Sequence, residues 1–582
     1  MEKNLKPNLY FWSLRGSLTM LALLPVLPLF SPWHLMPVAS FHSEWLAIIL
    51  GLLAWLAAMP ILLRAAGLQA PRMILLPLAL MALISVQAQL LPQVISQHAQ
   101  MAMLYLLWAA LLMALIGLLA EQTSRARVGI WLASGLTAAA ACGGLQEFAF
   151  RLNGVVGWWG GIAQPNNYGD LLALGLASAL YLLTAAKPVW RIYLLVLAAV
   201  IVFGLSLTPS RSVWLYWLVM MLIAWRWQRP QLRLLLPGMG LYLLLQILWS
   251  IEILPAQQTA AGRLYQEVGG APLRLHIWNV AWHLFMQAPW LGQGFGQFDW
   301  AYFQAGQHIP DLVQRLEHAH NLILHLLAEL GILPVLLLLA LLGLWLRQVV
   351  VELNGQGRNK TTDGSGAFLV WLLMLAAILG LHSLLEYPLW YAQFLGIAAM
   401  ILALGDSRFW QIRLGKIGIW AASGMLAMGI AVAAVHEWHY AKMERALYSF
   451  FDDTSPRKFS QLLAVCQRAN VQAPLLTPYI AVIFTLAGDS VNEKLRPDLT
   501  VLANASYQFL PVKELVYRQA EMQALSGSAE AARRTLRLAL TAYPYWAEQF
   551  IDELDLLNAD DQKKVVFLRG MAEAAASHRV SK

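Results

Sequence analysis

Runs of apolar residues recur along the chain from residue 16 to residue 435, and short polar segments separate them. Most runs hold about 20 residues, the length of helix needed to cross the hydrocarbon core of a bilayer. The pattern therefore predicts about thirteen transmembrane helices. The predicted spans cover residues 16–31, 45–63, 73–91, 101–120, 128–147, 169–186, 192–208, 212–225, 234–250, 321–346, 367–385, 389–405 and 417–435.

Two stretches depart from this pattern. Residues 251–319 mix polar and aromatic side chains, which predicts a long loop outside the membrane with a helix around 273–286. From residue 436 onward, charged residues become as frequent as they are in soluble domains. We therefore predict an all-α polytopic membrane protein, with a transmembrane domain over residues 1–435 and a soluble helical domain over residues 436–582.

The soluble domain contains one candidate repeat unit, or two if residues 458–487 form another. Residues 515–547 resemble a tetratricopeptide-like helix pair, because Ala520, Gly527 and Ala532 recur where two closely packed helices need small side chains. An odd number of spans places this domain on the opposite side of the membrane from the N-terminus. In that position it is expected to contact a protein partner.

Composition supports a membrane protein and excludes a soluble enzyme. Of the 582 residues, 59% are hydrophobic and 12% are charged, about half the charged fraction of soluble domains. The net charge of +8 does not require a nucleic-acid partner, since every segment on the N-terminal side of the membrane is basic. The loops at 32–44, 92–99 and 386–388, on the other side, contain no lysine or arginine. This bias predicts a cytoplasmic N-terminus.

Five arginines on the outer side break this charge bias: Arg151, Arg211, Arg263, Arg274 and Arg315. An unpaired cation at the membrane boundary costs about a few kcal/mol, so a favourable interaction must explain the position of each arginine. Binding an anion, such as the phosphate of a lipid carrier, is the obvious one. Arg211 could instead extend its head group toward water from a helix end, and Arg274 could stack on a tryptophan.

The most polar stretch beside an apolar run is 315–331, which holds three histidines, two glutamates and an asparagine. His320 is a candidate general base, because an imidazole accepts a proton near neutral pH. Glu317 and Glu329 could orient or tune its ring. The alternative is that His320 and Asn321 only cap a helix and satisfy its free N–H groups.

Spacing excludes metal and nucleotide chemistry. His318 and His320 are two residues apart and would point to different sides of a helix, so no metal centre is expected. The glycine-rich segment 289–296 follows no strand, which favours a tight turn over a nucleotide-binding loop. His318 is expected to be a neighbour of His320, and His325 is expected only to pack.

Two further segments supply polar groups on the outer side. Gln164 and Asn166 can hydrogen-bond sugar hydroxyls or cap the next helix, and capping is the expected role of Asn167. Glu386 lies in a short outer loop, where an unpaired carboxylate is expensive. An arginine such as Arg211 is its expected partner.

Several motifs occur together, in an order that chance does not readily produce. They are Thr208-Pro-Ser-Arg-Ser212, Arg274 with Trp278, Pro289 to Gly294, His320-Asn321 with Gly331, Gln164-Pro-Asn-Asn167, Glu317-His-Ala-His-Asn321 and His382 to Tyr391. This combination resembles the bacterial O-antigen ligase and polymerase superfamily (WaaL and Wzy types). Within it, the motifs resemble the PglL-type protein O-oligosaccharyltransferases. The likeness is most specific over residues 130–405, and the soluble tail resembles the C-terminal region of that branch.

The resemblance implies an inner-membrane glycosyltransferase whose active site and C-terminal domain face the periplasm. It implies transfer of a glycan, preassembled on undecaprenyl pyrophosphate, en bloc to a Ser or Thr hydroxyl of a pilin or other exported protein. His320 matches the essential histidine, and Arg211 and Arg274 match the arginines that contact the pyrophosphate. The predicted supporting and substrate-binding residues are Gln164, Asn166, Asn321, Glu317, His318, His382, Glu386 and Tyr387.

The expected mechanism needs no metal and no cofactor, because the pyrophosphate already activates the donor. Other acceptors stay open: the chain could ligate glycan to lipid A core or polymerise glycan repeats. Pro334 departs from the ligase pattern after Gly331, which weighs against lipid A core. From another class, a transporter of lipid-linked sugar would place polar residues deep in several spans, whereas here they collect at one face.

Overall fold

The computed structural model describes residues 7–31, 37–65, 67–155, 157–250, 270–305, 317–355, 365–488 and 496–580. Arg263 and Arg315 lie outside these residues. Within them the α-helices are α1 (Pro7–Leu23), α2 (Phe41–Leu62), α3 (Leu75–Leu90), α4 (Ser96–Gln122), α5 (Arg125–Leu152), α6 (Pro165–Ala185), α7 (Pro188–Leu207), α8 (Ser212–Trp227), α9 (Arg229–Ser250), α10 (Gly270–Gln287), α11 (Phe298–Ala305), α12 (Leu322–Leu330), α13 (Ile332–Gly355), α14 (Ser365–Ser383), α15 (Ala392–Gly405), α16 (Lys416–Asp452), α17 (Pro456–Gln472), α18 (Thr477–Ala487), α19 (Arg496–Phe509), α20 (Lys513–Leu525), α21 (Ala529–Ala542), α22 (Ala547–Asp555) and α23 (Ala559–Val580).

Ten helices in the described part of the chain are long and apolar enough to cross a membrane. They are α2, α3 with its leading 3-10 turn, α4, α5, α6, α7, α9, α13, α14 and α16. Two further predicted spans coincide with the shorter helices α8 and α15, and the predicted span 16–31 overlaps only the second half of α1. The polytopic, mainly helical fold is therefore confirmed, while the count of thirteen spans stays a prediction.

Helix α6 is the most enclosed of these ten helices and lies among α5, α7, α8 and α14. Small residues allow the close packing, since Gly175 of α6 faces Ala140 of α5 with no room for a side chain. Such close approach is how helices gain contact energy where lipid supplies no hydrophobic drive. The polar start of α6 is consequently held at the centre of the helix bundle.

The predicted span at 321–346 is wrong, because the chain forms two helices there. Gly331 adopts φ +80° and ψ −168°, a backbone conformation that ends α12 and precedes α13. The glycine-rich turn at 289–296 packs against this break. Ile332 N donates a hydrogen bond to Pro289 O of the turn (2.9 Å). Gly294 N of the turn donates one to Glu329 O (3.0 Å). The two glycine motifs thus satisfy each other's backbone groups.

The described part of the outer loop is helical. Helix α10 covers the helix predicted around 273–286, which is confirmed, and the short helix α11 follows the glycine-rich turn. Both helices pack against α12. The loop therefore forms a helical layer over the segment that contains His320.

A two-stranded antiparallel ribbon is the one departure from helical structure in the described chain. Strand β1 (Leu68–Pro71) pairs with β2 (Phe409–Ile412), with Leu68 opposite Ile412. It joins the α2–α3 connection to the α15–α16 connection, both predicted to be cytoplasmic. Gly117 of α4 packs against the backbone of Gln69, where a Cβ would clash.

The C-terminal region is a series of packed helices that continues from the last predicted span. Helix α16 runs unbroken from Lys416 to Asp452, so the domain division placed after residue 435 falls inside a helix. Helices α20 and α21 form a pair at the predicted repeat and bury Ala520 and Ala532 between them. Whether they make a tetratricopeptide unit stays a prediction.

Gly331→Ala is expected to destabilise the protein, because a non-glycine residue is strained at this φ and ψ and its Cβ would clash with the carbonyl oxygen of Trp290. Backbone strain of this kind costs about 1–3 kcal/mol. Gly343→Ala in α13 is the control, since no atom lies within 4 Å of its added Cβ. Thermal unfolding in detergent should show a lower Tm for Gly331→Ala alone; equal Tm values for the two variants would contradict this.

Candidate active site

The carboxylate of Glu386 is the centre of a polar cluster on the predicted outer side. Glu386 lies in the loop between α14 and α15 and is only 5% exposed. Its Oε1 accepts hydrogen bonds from Asn166 Nδ2 (2.8 Å) and Arg274 Nη2 (3.2 Å). Its Oε2 lies 2.9 Å from His320 Nδ1. Glu386 thus joins the start of α6, helix α10 and the segment before α12.

His320 is held in an orientation that suits proton transfer. When Nδ1 donates to Glu386, the tautomer is fixed and Nε2 carries a lone pair. Within the described part of the chain no hydrogen bond reaches that nitrogen, and a quarter of the side chain is exposed. The following residue, Asn321, caps α12 by accepting a hydrogen bond from Leu324 N (3.1 Å). Capping is therefore the role of Asn321, while His320 faces Glu386.

Of two expectations about the carboxylates, the structure contradicts one and changes only the partner residue in the other. We expected Glu317 or Glu329 to orient His320, but Glu386 does so, because the loop before α15 packs over the segment before α12. Glu386 pairs with an arginine, as expected, but that arginine is Arg274 and not Arg211. Arg274 keeps 37% of its side chain exposed, so the guanidinium is also accessible to a ligand.

Arg211 lies in the short turn between α7 and α8, as predicted, and is half-buried as the residue before α8. Thr208 Oγ1 in the same turn donates to Pro165 O (2.9 Å). This bond fixes the turn against the start of α6, the helix that supplies Asn166 to Glu386. Arg211 and the Glu386 cluster are therefore attached to one rigid element.

A second hydrogen-bond chain holds the start of α6 from behind. Gln164 caps α6 by accepting from Asn167 N. The Asn167 side chain binds His382 Nε2 (2.8 Å), and His382 Nδ1 binds Tyr216 OH (2.9 Å). His382 is fully buried, so the structure places it as a support of the site, away from its surface.

Aromatic rings form the wall beside His320. The Tyr387 ring lies 5.5 Å from the His320 ring and 4.1 Å from the His318 ring, between ring centres. His318 also contacts Trp390 (4.8 Å) and His325 (5.0 Å). The structure therefore places His318 and Tyr387 next to His320, as the sequence predicted.

His325 makes polar contacts with Ala319 and Glu329, whereas the sequence predicted only packing for it. Ala319 N donates to His325 Nδ1 (3.4 Å), and Nε2 lies 3.4 Å from Glu329 Oε2. Burial alone would raise the pKa of Glu329, but the charge of His325 and hydrogen bonds from the backbone lower that pKa below its usual value. This buried pair fixes the backbone immediately before His320.

Gln87 is a second residue that the sequence analysis missed. It lies near the end of α3, is almost fully buried, and its amide NH₂ donates to the carbonyl oxygens of Leu291 and Glu329. Its Oε1 accepts from Phe295 N (3.2 Å). Gln87 therefore fastens the glycine-rich turn to α12. Amide side chains within a predicted apolar span, here Gln87 and Gln89, were the signal that could have identified it.

Arg151 has a partner within the protein and does not need an external anion. Its Nε lies 2.9 Å from Oε1 of the buried Glu147, and its Nη2 donates to Leu207 O (2.7 Å). Glu147 Oε2 also accepts from Trp159 N (2.7 Å). The expectation that Arg151 binds an anionic ligand is therefore wrong, because a buried glutamate four residues earlier neutralises it.

An apolar cavity of about 400 Å³ opens next to the aromatic wall. Its lining includes Glu317, His318 and Tyr387 and continues along apolar side chains of α3, α4, α12, α13 and α15. Leu338 and Leu402, from two of the helices assigned to the membrane, also line it. The cavity thus connects the polar cluster with the hydrophobic interior of the helix bundle.

Comparisons with known proteins agree with this arrangement. Residues 194–340 match the family described as O-Antigen ligase, and residues 370–553 match the family described as virulence factor membrane-bound polymerase, C-terminal. Arg211, Arg274 and His320 fall in the first match, and Glu386 falls in the second. The chain is also similar to the general O-oligosaccharyltransferase of Acinetobacter baylyi (strain ATCC 33305 / BD413 / ADP1). The two are 28% identical over 419 residues, which cover 66% of this chain and 69% of the relative.

The helical membrane fold, the polar cluster at one face and these matches make the chain similar to the O-antigen ligase superfamily of multi-pass membrane proteins. Within that superfamily it is similar to the PglL-type O-oligosaccharyltransferases, and the resemblance found in the sequence is confirmed.

Glu386→Gln is expected to lower glycan transfer by about 10²-fold, because a neutral amide cannot hold His320 and Arg274 together or stabilise a protonated imidazole. Glu317→Gln removes an exposed carboxylate from the same neighbourhood and should change transfer by less than about 2-fold. Rates are measured on equal amounts of purified enzyme. A larger loss in Glu317→Gln than in Glu386→Gln would return the orienting role to Glu317.

Proposed function

We propose that the chain transfers a preassembled oligosaccharide en bloc from undecaprenyl pyrophosphate to Ser or Thr hydroxyls of periplasmic proteins such as pilins. The observation that carries this proposal is the imidazole of His320, bound through Nδ1 to Glu386 beside the accessible guanidinium of Arg274. A base, its orienting carboxylate and a cation in one cluster suit displacement at a sugar carbon by a hydroxyl. The similarity to a general O-oligosaccharyltransferase supports protein as the acceptor.

In this mechanism His320 Nε2 accepts the proton of the acceptor hydroxyl while the hydroxyl oxygen attacks the anomeric carbon of the glycan. The bond between that carbon and the pyrophosphate oxygen breaks, and the electron pair leaves with the lipid pyrophosphate. Glu386 stabilises the imidazolium that forms. Arg274 and Arg211 neutralise the negative charge that grows on the leaving group. A single displacement inverts the anomeric centre and requires no metal ion or cofactor.

The apolar cavity supports a donor that carries a long hydrocarbon chain. Its polar rim at His318 and Tyr387 adjoins His320, and its remaining walls are mainly Leu, Ala and Met side chains. We propose that the part of the polyprenyl chain nearest the pyrophosphate occupies it. The head group would then lie beside Arg274, with the glycan toward water, where Gln164 and Asn166 border the site.

The proposed topology follows from the charge bias. All thirteen apolar helices span the inner membrane, the N-terminus is cytoplasmic, and the active site and the tail are periplasmic. The tail, with its tetratricopeptide-like helix pair, contacts the acceptor. The match of residues 370–553 to a polymerase family favours glycan polymerisation as the second candidate function, and acceptor identity distinguishes the two.

His320→Ala is expected to reduce transfer by roughly 10²–10⁴-fold, because the general base is removed. The enzyme is expressed with a lipid-linked glycan donor and a pilin, and intact-mass analysis of the pilin measures the glycan added. The control His283→Ala replaces an exposed histidine of α10 and should retain full transfer. Near-normal transfer by His320→Ala would remove His320 from the mechanism. A product with many glycan repeats and unmodified pilin would indicate the polymerase.

Arg211→Ala and Arg274→Ala are each expected to cost about 2–4 kcal/mol in kcat/KM, since each loses a cation that meets developing charge. Arg191→Ala, an exposed arginine on the predicted cytoplasmic side, is the matched control and should have no effect. A double-mutant cycle distinguishes a direct role of Arg274 at the leaving group from a role as the partner of Glu386. If Arg274 serves only as the partner of Glu386, Arg274→Ala will lower activity no further in the Glu386→Gln background.

A further inference from the structure

The membrane-distal part of α16 and the following helix α17 form a hairpin with a groove of about 710 Å³ along one side. The two helices are antiparallel and joined by a short turn. Lys458 Nζ donates to Ser449 Oγ (2.6 Å), and the rings of Phe450 and Phe459 lie 5.9 Å apart. Both contacts fix the hairpin, so the groove is a rigid surface.

Three arginines line this groove: Arg445 from α16, and Arg457 and Arg468 from α17. All three are exposed, and no ion pair to any of them occurs in the described part of the chain. The nearby carboxylates Glu437 and Glu444 are engaged elsewhere, at 2.7 Å and 3.2 Å from the ring nitrogens of His42. The groove lining therefore contains three arginines and no carboxylate, which makes its surface positive.

The spacing of these arginines indicates the shape of the ligand. Arg457 and Arg468 are eleven residues apart on α17 and so lie about 16 Å apart along the helix axis. A single phosphate cannot contact both, whereas an extended polypeptide advances about 3.3 Å per residue and spans the distance with about five residues. Guanidinium groups bind carboxylates with two parallel hydrogen bonds. Ser460 and Gln461, also in the groove, can bind the backbone of such a segment.

The position of the groove favours a polypeptide over the lipid surface. The apolar part of α16 ends near residue 435, so Arg445 lies about 15 Å further along the helix. Since the groove follows the hairpin axis, a bilayer surface would reach only one end of it. An acidic segment of a protein outside the membrane can contact its whole length.

We propose that this groove between α16 and α17 binds an extended acidic segment of the acceptor protein. The inference rests on the proposed function, in which the acceptor is a protein. Binding here would hold the acceptor on the tail while its hydroxyl reaches His320. The groove would thereby favour acceptors that carry several Asp or Glu residues near the modified Ser or Thr.

The test measures binding of a fluorescein-labelled octaglutamate peptide to the full-length chain in detergent, by fluorescence anisotropy at low ionic strength. The double variant Arg457→Gln/Arg468→Gln should weaken binding at least 10-fold. The matched control Arg534→Gln/Arg537→Gln removes the same charge from two exposed arginines of α21 and should change binding less than 2-fold. Equal losses in both variants, or no binding by the wild-type chain, would overturn the proposal. Displacement of the peptide by detergent micelles that contain phosphatidylglycerol, but not by micelles that contain phosphatidylcholine, would also overturn the proposal, because it assigns the groove to lipid.

Transfer assays distinguish this proposal from the proposed function itself. With a pilin that carries an acidic tract, the groove variant should raise KM about 10-fold and leave kcat unchanged. With the tract neutralised, the groove variant and wild type should have the same KM. Absence of transfer by the wild-type chain would contradict the proposed function, whereas the peptide-binding result stands independently of transfer.

Discussion

The buried carboxylate of Glu386 is the constraint on which the polar face of this protein depends. An ionised carboxylate removed from water costs several kcal/mol unless charged or polar donors surround it. Asn166, Arg274 and His320 satisfy this requirement from three separate elements of the chain. Each of those elements is consequently fixed relative to the other two. The need to neutralise one buried charge thus also sets the geometry of the polar cluster around His320.

A second layer keeps His320 in a backbone conformation that it would not adopt alone. Its φ of +49° is unfavourable for a residue with a side chain and persists only where the surroundings determine it. On one side Ala319 is bonded to His325, which Glu329 holds, and on the other Asn321 caps α12. Strain at the proposed base is therefore balanced by two polar contacts of its immediate neighbours.

The sequence predicted the helices well because each apolar run is a local property. It also singled out Arg274 and His320, which break the local pattern of charge. The break at Gly331 was not predictable in the same way, because apolar residues flank it and the turn that completes it lies some forty residues earlier. The choice of Arg274 over Arg211 as the partner of Glu386 likewise depends on how α10 packs across the bundle. Pairing between distant segments is a tertiary property that neither composition nor spacing encodes.

The small ribbon at the face opposite the cluster has a consequence for how the protein is made. Its strands, Leu68–Pro71 and Phe409–Ile412, are separated by more than 300 residues, so the pairing waits until α15 has been synthesised and inserted. Until then β1 has no strand with which to pair. Helices α2 and α3 are by then in the membrane, but their connection is not yet joined to the connection between α15 and α16. Closure of the ribbon is thus a late event in assembly, and it links the first predicted cytoplasmic connection of the bundle to the last.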